Sequence, residues 1–302
     1  MAVRKMHVLL VAVVGGFGAL LLPTTAGATT ASQTPGAGRG LFIPAPLPPS
    51  AGSVLPRVSP LTEAITAEGS SNWSGYAQSA RRGTFTSVVD TWQVPTVSTS
   101  NPGFQLSSDW VGIGGFKDST LVQAGTEADN DNGTPFYQAW TEILPAASDP
   151  LSMTINPGDS ITTVVEETSP GTWLMQVTDN TTGVTQGRTV TYASSGSSAE
   201  AIHEATSLCS PCVIAPLATT TNVTFDPGTF TSVLQPTPQP LLVPAVEKEK
   251  VTRKGIRTKV DNVYELLMIG SGNTVIATPS APNAQGNGFT VADGPIAPSP
   301  PS

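Results

Sequence analysis

Residues 172–192 read "TWLMQVTDNTTGVTQGRTVTY", and the alternation within them decides the fold. Trp173, Met175 and Val177 project to one side of an extended chain, while Leu174 and Gln176 project to the other. A period of two in β-branched and aromatic residues marks a strand buried on one face. Asp179-Asn180-Thr181-Thr182-Gly183 then supplies turn residues. The chain returns as a second β-branched run to Tyr192, so the stretch is a predicted hairpin. Similar runs occur at "TFTSVVDTWQV" (84–94) and "SITTVVEET" (160–168). Turn signals recur at short intervals and no helical pattern separates the strands. The expected fold is therefore all-β, a sandwich of two antiparallel sheets rather than a parallel sheet covered by helices.

Composition points the same way. The chain has 302 residues with 29 Gly and 28 Pro, and only 12% of its residues are charged, about half the usual share. That length suits one large domain plus extensions. Strand-like texture runs from 69 to 292. Residues 29–68, containing "LFIPAPLPPSAGSVLPRVSP", are rich in Pro, Gly and Ser and are expected to be a propeptide or linker without a core of its own. The end, 293–302, closing on "GPIAPSPPS", is expected to be a disordered tail.

Residues 1–28 combine Arg4 and Lys5, an apolar stretch from Val8 to Leu22 and the small triplet Ala26-Gly27-Ala28. This is the layout of a secretory signal peptide; the apolar stretch is too short and Gly-interrupted for an anchor. The exported chain is expected to be a secreted monomer with no membrane contact. Its net charge of −8 becomes more negative once Arg4 and Lys5 leave, which argues against nucleic acid as a partner. Scarcity of charge also suggests acid tolerance, because few ionised carboxylates are lost on acidification.

Several chemistries are absent from the sequence. There is no G-x-S-x-G elbow, and a Ser–His–Asp relay could use only His203, the single histidine after the leader. Paired Asp-Thr/Ser-Gly turns are missing, and "HEATS" (203–207) lacks the second histidine of an H-E-x-x-H zinc site. His203, Cys209 and Cys212 could supply three zinc ligands, but their spacing departs from the deaminase pattern. In a secreted chain with two cysteines, Cys209–Cys212 is read as a small-loop disulfide, with a metal set or free thiols as the alternatives. No metal or cofactor is expected.

What remains is polar residues embedded among aromatics. "DWVGIGGF" (109–116), "LVQAGTEAD" (121–129) and "YQAWTEILP" (137–145) place Gln123, Glu127 and Glu142 beside bulky and small neighbours. Such a carboxylate either faces solvent on a half-exposed strand or is buried with a raised pKa.

With "SNWSGYA" (71–77) before them and "SAEAIHEA" (198–205) after, these segments resemble, in order and spacing, the glutamic peptidases (eqolisins). "APLATTTNVTF" (215–225) and "NVYELLMI" (262–269) look like that family's closing strands, so the resemblance spans roughly 69–292. It implies a concanavalin-like sandwich whose concave face binds an extended polypeptide, and a secreted acid endopeptidase made as a zymogen. It places a catalytic pair at Gln123, in "LVQAG", and at Glu200, which opens the last motif. Trp73, Trp110, Trp140, Glu127 and Glu142 become the expected substrate-binding residues, and His203 and Glu204 become bystanders. Hydrolysis by water needs a base, a partner for the oxyanion and an acid for the leaving amine. One carboxyl and one amide can supply all three.

The sequence also departs from the family pattern. Gly114 and Glu127 stand where the best-known members carry aspartates, which alters the carboxylate network around Glu200. Ala201 replaces an aromatic residue, which is expected to loosen a cleft wall. The charged stretch 246–259 reads as a solvated loop, and self-cleavage is expected near Glu68. The alternative function is a lectin-like sandwich using Trp110 and Trp140 as sugar platforms without catalysis; a glycosidase using Glu127 and Glu142 is a further enzyme reading.

Overall fold

The predicted hairpin forms in the computed structural model. Thr172–Asp179 pairs antiparallel with Val184–Thr191, and Asp179 closes the turn by accepting the N–H of Thr181 (2.8 Å). Gly183 takes φ of +75°, a left-handed conformation that favours glycine. Trp173, Met175 and Val177 are buried as the alternation requires, while Leu174 and Gln176 are half-buried.

The structure describes residues 42–48, 65–208, 213–243, 246–248, 258–260 and 262–302, all within the compact unit Pro35–Ser302. The expected signal peptide and the Cys209–Cys212 pair lie outside the described residues.

Two sheets face each other. In one, the hairpin continues through Ser160–Ser169 and Phe85–Gln93 to Thr229–Ser232, all antiparallel. In the other, the order is Ile65–Ser70, Asn262–Gly270, Trp73–Ser79, Ser198–Glu204, Ser108–Gly114, Leu121–Asp131 and Thr134–Ile143. Every pairing in this second sheet is antiparallel except that of Ile65–Ser70 with Asn262–Gly270. The exception has a simple cause. The chain turns at Ser71–Asn72 and returns on the other flank of Asn262–Gly270, so one of its two arms must run parallel to that strand.

Between the sheets, Tyr76, Val111, Ile113, Val122 and Ala124 meet Val88, Trp92, Ile161, Val165 and Met175 in one apolar cluster. Burying side chains of this size stabilises by roughly 1.5–3 kcal/mol each.

The expected boundaries move. The sandwich starts at Ile65 rather than 69, and Pro44 and Ala45 from the presumed leader add to the edge of Ile65–Ser70. Glu68 lies inside this paired strand and binds Lys117 at 2.9 Å, so a cut there would sever a strand of the sheet. Within the charged stretch, Val246–Lys248 pairs with Thr258–Val260. The chain after Asp293 is described to Ser302 without regular secondary structure.

Several ionisable groups sit inside the sandwich, and they set its response to pH. Glu265 lies across from the core residue Tyr76, and burial lifts its carboxyl to about 8. Burial also raises Asp90 well above its ordinary value, opposed by the Thr91 N–H and reinforced by the charge of Asp226. His203 is disfavoured by burial, but Asp109, 2.7 Å away, more than compensates and raises it.

For all three groups the fold favours the protonated form, so their contribution is complete below the unfolded pKa and is lost as pH rises through the folded one. For Glu265 that window runs from 4.5 to about 8. Asp118 and Asp179 are held low by hydrogen bonds that overcome burial, and they act in the opposite sense only below their ordinary 3.8. Stability should therefore peak at mildly acidic pH, through buried carboxyls rather than through scarcity of charge. The urea midpoint is expected to be higher at pH 5 than at pH 8, and Glu265→Gln to narrow that gap by raising the pH 8 value. An unchanged gap would refute the assignment to Glu265.

Candidate active site

The sheet that starts at Ile65 turns its second face away from the core, and strand alternation selects which residues appear there. On Ser198–Glu204, Glu200, Ile202 and Glu204 take this face, while Ala199 and Ala201 take the core face. Ala201 therefore packs between the sheets and lines no cleft wall, contrary to the expectation from the sequence.

Register brings the key residues into line. Glu200 lies opposite Gly112, Gly112 opposite Gln123, and Gln123 opposite Glu142. On the other flank, Glu200 faces Ala77 and Ala77 faces Tyr264. Two strand spacings separate the Glu200 and Gln123 backbones, on the order of 9–10 Å. Gly112 has no room for a side chain between them: a Cβ there would meet Leu121 Cδ1 and Trp110 Cζ3 at 2.9 Å each, so these two side chains pack directly over the glycine.

The polar groups in this row are held unequally. Gln123 Nε2 donates to Glu142 Oε2 at 2.6 Å, which fixes the amide orientation and leaves its second N–H for another acceptor. Among the described residues, Gln123 Oε1 and both carboxyl oxygens of Glu200 have no hydrogen-bond partner, although both side chains are fully buried. Burial pushes the Glu200 carboxyl well above its ordinary range. The Ser198 hydroxyl opposes this without reaching hydrogen-bond geometry, and the charge of Asp118 adds to it.

Asp118 is the ionised member of that pair. It accepts from Thr120 N–H (2.8 Å), Thr120 Oγ1 (2.7 Å) and Ser197 Oγ (2.5 Å). Two carboxyls whose surroundings drive their pKa values apart are what acid–base chemistry requires. Gly114, a departure from the family pattern, leaves no room for the aspartate of that pattern. Its φ is +87°, and a Cβ would lie 2.4 Å from the Thr120 carbonyl.

The next row holds the aromatics. Ile202 faces Trp110, Trp110 faces Gly125, and Gly125 faces Trp140. A Cβ on Gly125 would come within 2.5 Å of Trp110 Cβ, so glycine is what lets the two indoles share the row. Trp73 meets Trp110 edge-on at 4.9 Å. Beyond them, Glu204 faces Trp73 and Ser108, and Ser108 faces Glu127.

Glu204 anchors the end of this row. Its carboxylate accepts from Trp110 Nε1 (2.8 Å) and Asn72 Nδ2 (3.2 Å). Its spacing of four from Glu200 on a strand already puts both on one face, a signal that strand alternation offered. His203, one residue away, points to the opposite face and binds Asp109. All seven residues named from the sequence as catalytic or substrate-binding thus lie on this face of one sheet; Asn72, Gly112, Asp118 and Glu204 join them.

Fold and sequence together define a hydrolase acting on peptide bonds. A family model described as the peptidase A4 family matches residues 71–239, more than half of the chain, and the chain belongs to that family, the glutamic peptidases. No curated protein sequence matches it. Among solved structures, it is similar to scytalido-glutamic peptidase bound to a transition-state-analog inhibitor, with 24% identity and a TM-score of 0.57, over 74% of this chain and 98% of that one. It is also similar to SCP-B, an eqolisin in complex with the tripeptide Ala-Ile-His, with 22% identity and a TM-score of 0.54 over the same shares. At these identities the likeness speaks for the fold.

Proposed function

We propose that this chain is a secreted acid endopeptidase in which Glu200 and Gln123 activate a water against the scissile bond. The observation that carries this is the Glu200–Gly112–Gln123 row, a carboxyl and an amide with unpaired oxygens on either side of a residue that has no side chain. In the fraction of molecules in which Glu200 is ionised, it takes a proton from water, and the oxygen attacks the peptide carbonyl carbon. The free N–H of Gln123 donates to the oxyanion that forms. Glu200, now protonated, returns the proton to the departing nitrogen as the C–N bond breaks. The high pKa of Glu200 suits this second step, because the acid is still protonated when the amine leaves.

Trp110 and Trp140 shape the floor of the cleft, Trp73 and Glu127 border it, and Glu142 orients the Gln123 amide. Export by residues 1–28 and a propeptide upstream of Ile65 complete the reading. Membership of a peptidase family speaks against the sugar-binding alternative. The direct test is cleavage of an acid-denatured protein between pH 2 and 7; a folded, processed chain that cleaves nothing would overturn the proposal.

Asp118 offers a finer test. Its negative charge helps to hold Glu200 protonated, so Asp118→Asn should lower the Glu200 pKa. The pH–rate profile is expected to move to lower pH with the fold intact. A profile that keeps its position while activity falls would make Asp118 a purely structural residue.

A further inference from the structure

Phe42 lies far upstream of the matched family segment, yet its side chain packs on the same sheet face as the candidate site. Its ring stands 4.8 Å from Phe116, edge-on, and 5.7 Å from Trp73. It joins the aromatic and aliphatic cluster that also holds Trp110, Ile202, Leu266 and Tyr264. Ile202 and Leu266 flank Gly75 in register, one row from Glu200. Gly75 has a φ of +142° and no room for a Cβ, which would come 2.4 Å from the Ala201 carbonyl. Phe42 sits in a hollow of this sheet face walled by the rings of Trp73, Phe116 and Tyr264.

The backbone beside Phe42 is gripped on both sides. Ile43 N–H donates to Asn72 Oδ1 at 3.1 Å, and Ser71 N–H donates to the Ile43 carbonyl at 2.8 Å. Asn72 is held in turn by Ser70 Oγ, which donates to its Oδ1 (3.1 Å), and by Glu204, which accepts from its Nδ2. Pro44 and Ala45 then lie antiparallel to Ser70 and Gly69. These contacts use the backbone of an extended segment plus one side chain in a hollow, the chemistry by which sheets recognise peptides of varied sequence. A cavity of about 500 Å³ lined by Phe42, Glu68, Phe116, Lys117 and Asp118 continues from it. At its rim Lys117 is already satisfied, paired with Glu68 at 2.9 Å and seated over Tyr264 at 4.1 Å.

We propose that this hollow is a substrate subsite for an aromatic side chain, with Ser71 N–H and Asn72 Oδ1 holding the substrate backbone, and that Phe42–Ala45 occupies it as a built-in substrate mimic. The inference rests on the peptidase reading of the same face. Selectivity for a ring follows from Trp73, Phe116 and Tyr264, since edge-on aromatic pairs add to the gain from apolar burial.

The test has two arms. In the first, a synthetic peptide of residues 41–48 is titrated into the full chain carrying Phe42→Ala and Glu200→Gln, which empties the hollow and stops turnover. The same peptide with Ala in place of its Phe is expected to bind at least about 10-fold more weakly; equal affinities would overturn the proposal. In the second, the full chain, activated by acid incubation, digests a mixture of denatured proteins. Phe, Tyr or Trp should be enriched at one fixed position from the cleaved bond. Phe116→Leu, which removes one ring from the wall of the hollow, should weaken that preference. A digest without aromatic preference would overturn the subsite. A chain that digests nothing would count against the Glu200–Gln123 mechanism instead, and the binding comparison would still decide the subsite.

Discussion

Replacing Glu200 by Gln is expected to reduce cleavage of an unfolded protein by a factor on the order of 10⁴ or more, because in the proposed mechanism one residue serves as base and then as acid and each role is worth about 10²–10⁴. The size and shape of the side chain are retained, so the loss cannot be charged to packing. The stability change should carry the opposite sign. Glu200 is fully buried and its carboxyl is raised well above the ordinary range. Its contribution is thus present at acidic pH and lost as pH rises through the folded value. A neutral amide removes that loss, and the variant should resist urea at pH 7 as well as the parent or better. Activity is read as initial rates across pH 2 to 7, and stability as a urea midpoint. A variant that cleaves at the parent's rate would remove Glu200 from the mechanism. A variant that is inactive because it is unfolded would show itself in the midpoint.

Gln123→Ala should lower kcat by on the order of 10²–10³, the usual effect of deleting one donor to an oxyanion. Glu142 takes one N–H of the Gln123 amide at 2.6 Å, which leaves the second N–H for the oxyanion of the proposed mechanism. An alanine would remove the donor and leave Glu142 facing an empty space. KM should change far less than kcat, because the oxyanion exists only on the way to the transition state. If KM rose while kcat stayed near the parent value, Gln123 would be a substrate-binding residue and the donor to the oxyanion would have to be sought elsewhere.

The candidate site is divided between what sequence shows and what folding assembles. Gln123 and Glu200 were legible because each sits in a short motif with recognisable neighbours, "LVQAG" and "SAEAI". Their mutual geometry was not. They belong to strands that are not adjacent, joined only through Gly112, and the register between them comes from pairings across the whole sheet. Asp118 carries no motif: it matters because a turn beside Gly114 and Gly115 returns it to Ser197, a contact between distant segments. Glu204 is within reach of strand alternation, because its spacing of four puts it on the face of Glu200. Ala201 shows the converse, since only the burial pattern tells which face of a strand looks into the core.

By itself the sequence determined the all-β class, the 172–192 hairpin, the peptidase motifs and the two residues proposed for chemistry. All of these depend on local alternation, turn residues and short-range spacing. Only the tertiary structure decided that Glu200, Gly112, Gln123 and Glu142 share one row, that Asp118 supplies the charge beside Glu200, and that Phe42 packs against Trp73 and Phe116. The physical reason is that strand register and side-chain burial arise from contacts between residues far apart in the chain, and burial is what turns an ordinary glutamate into an acid that holds its proton.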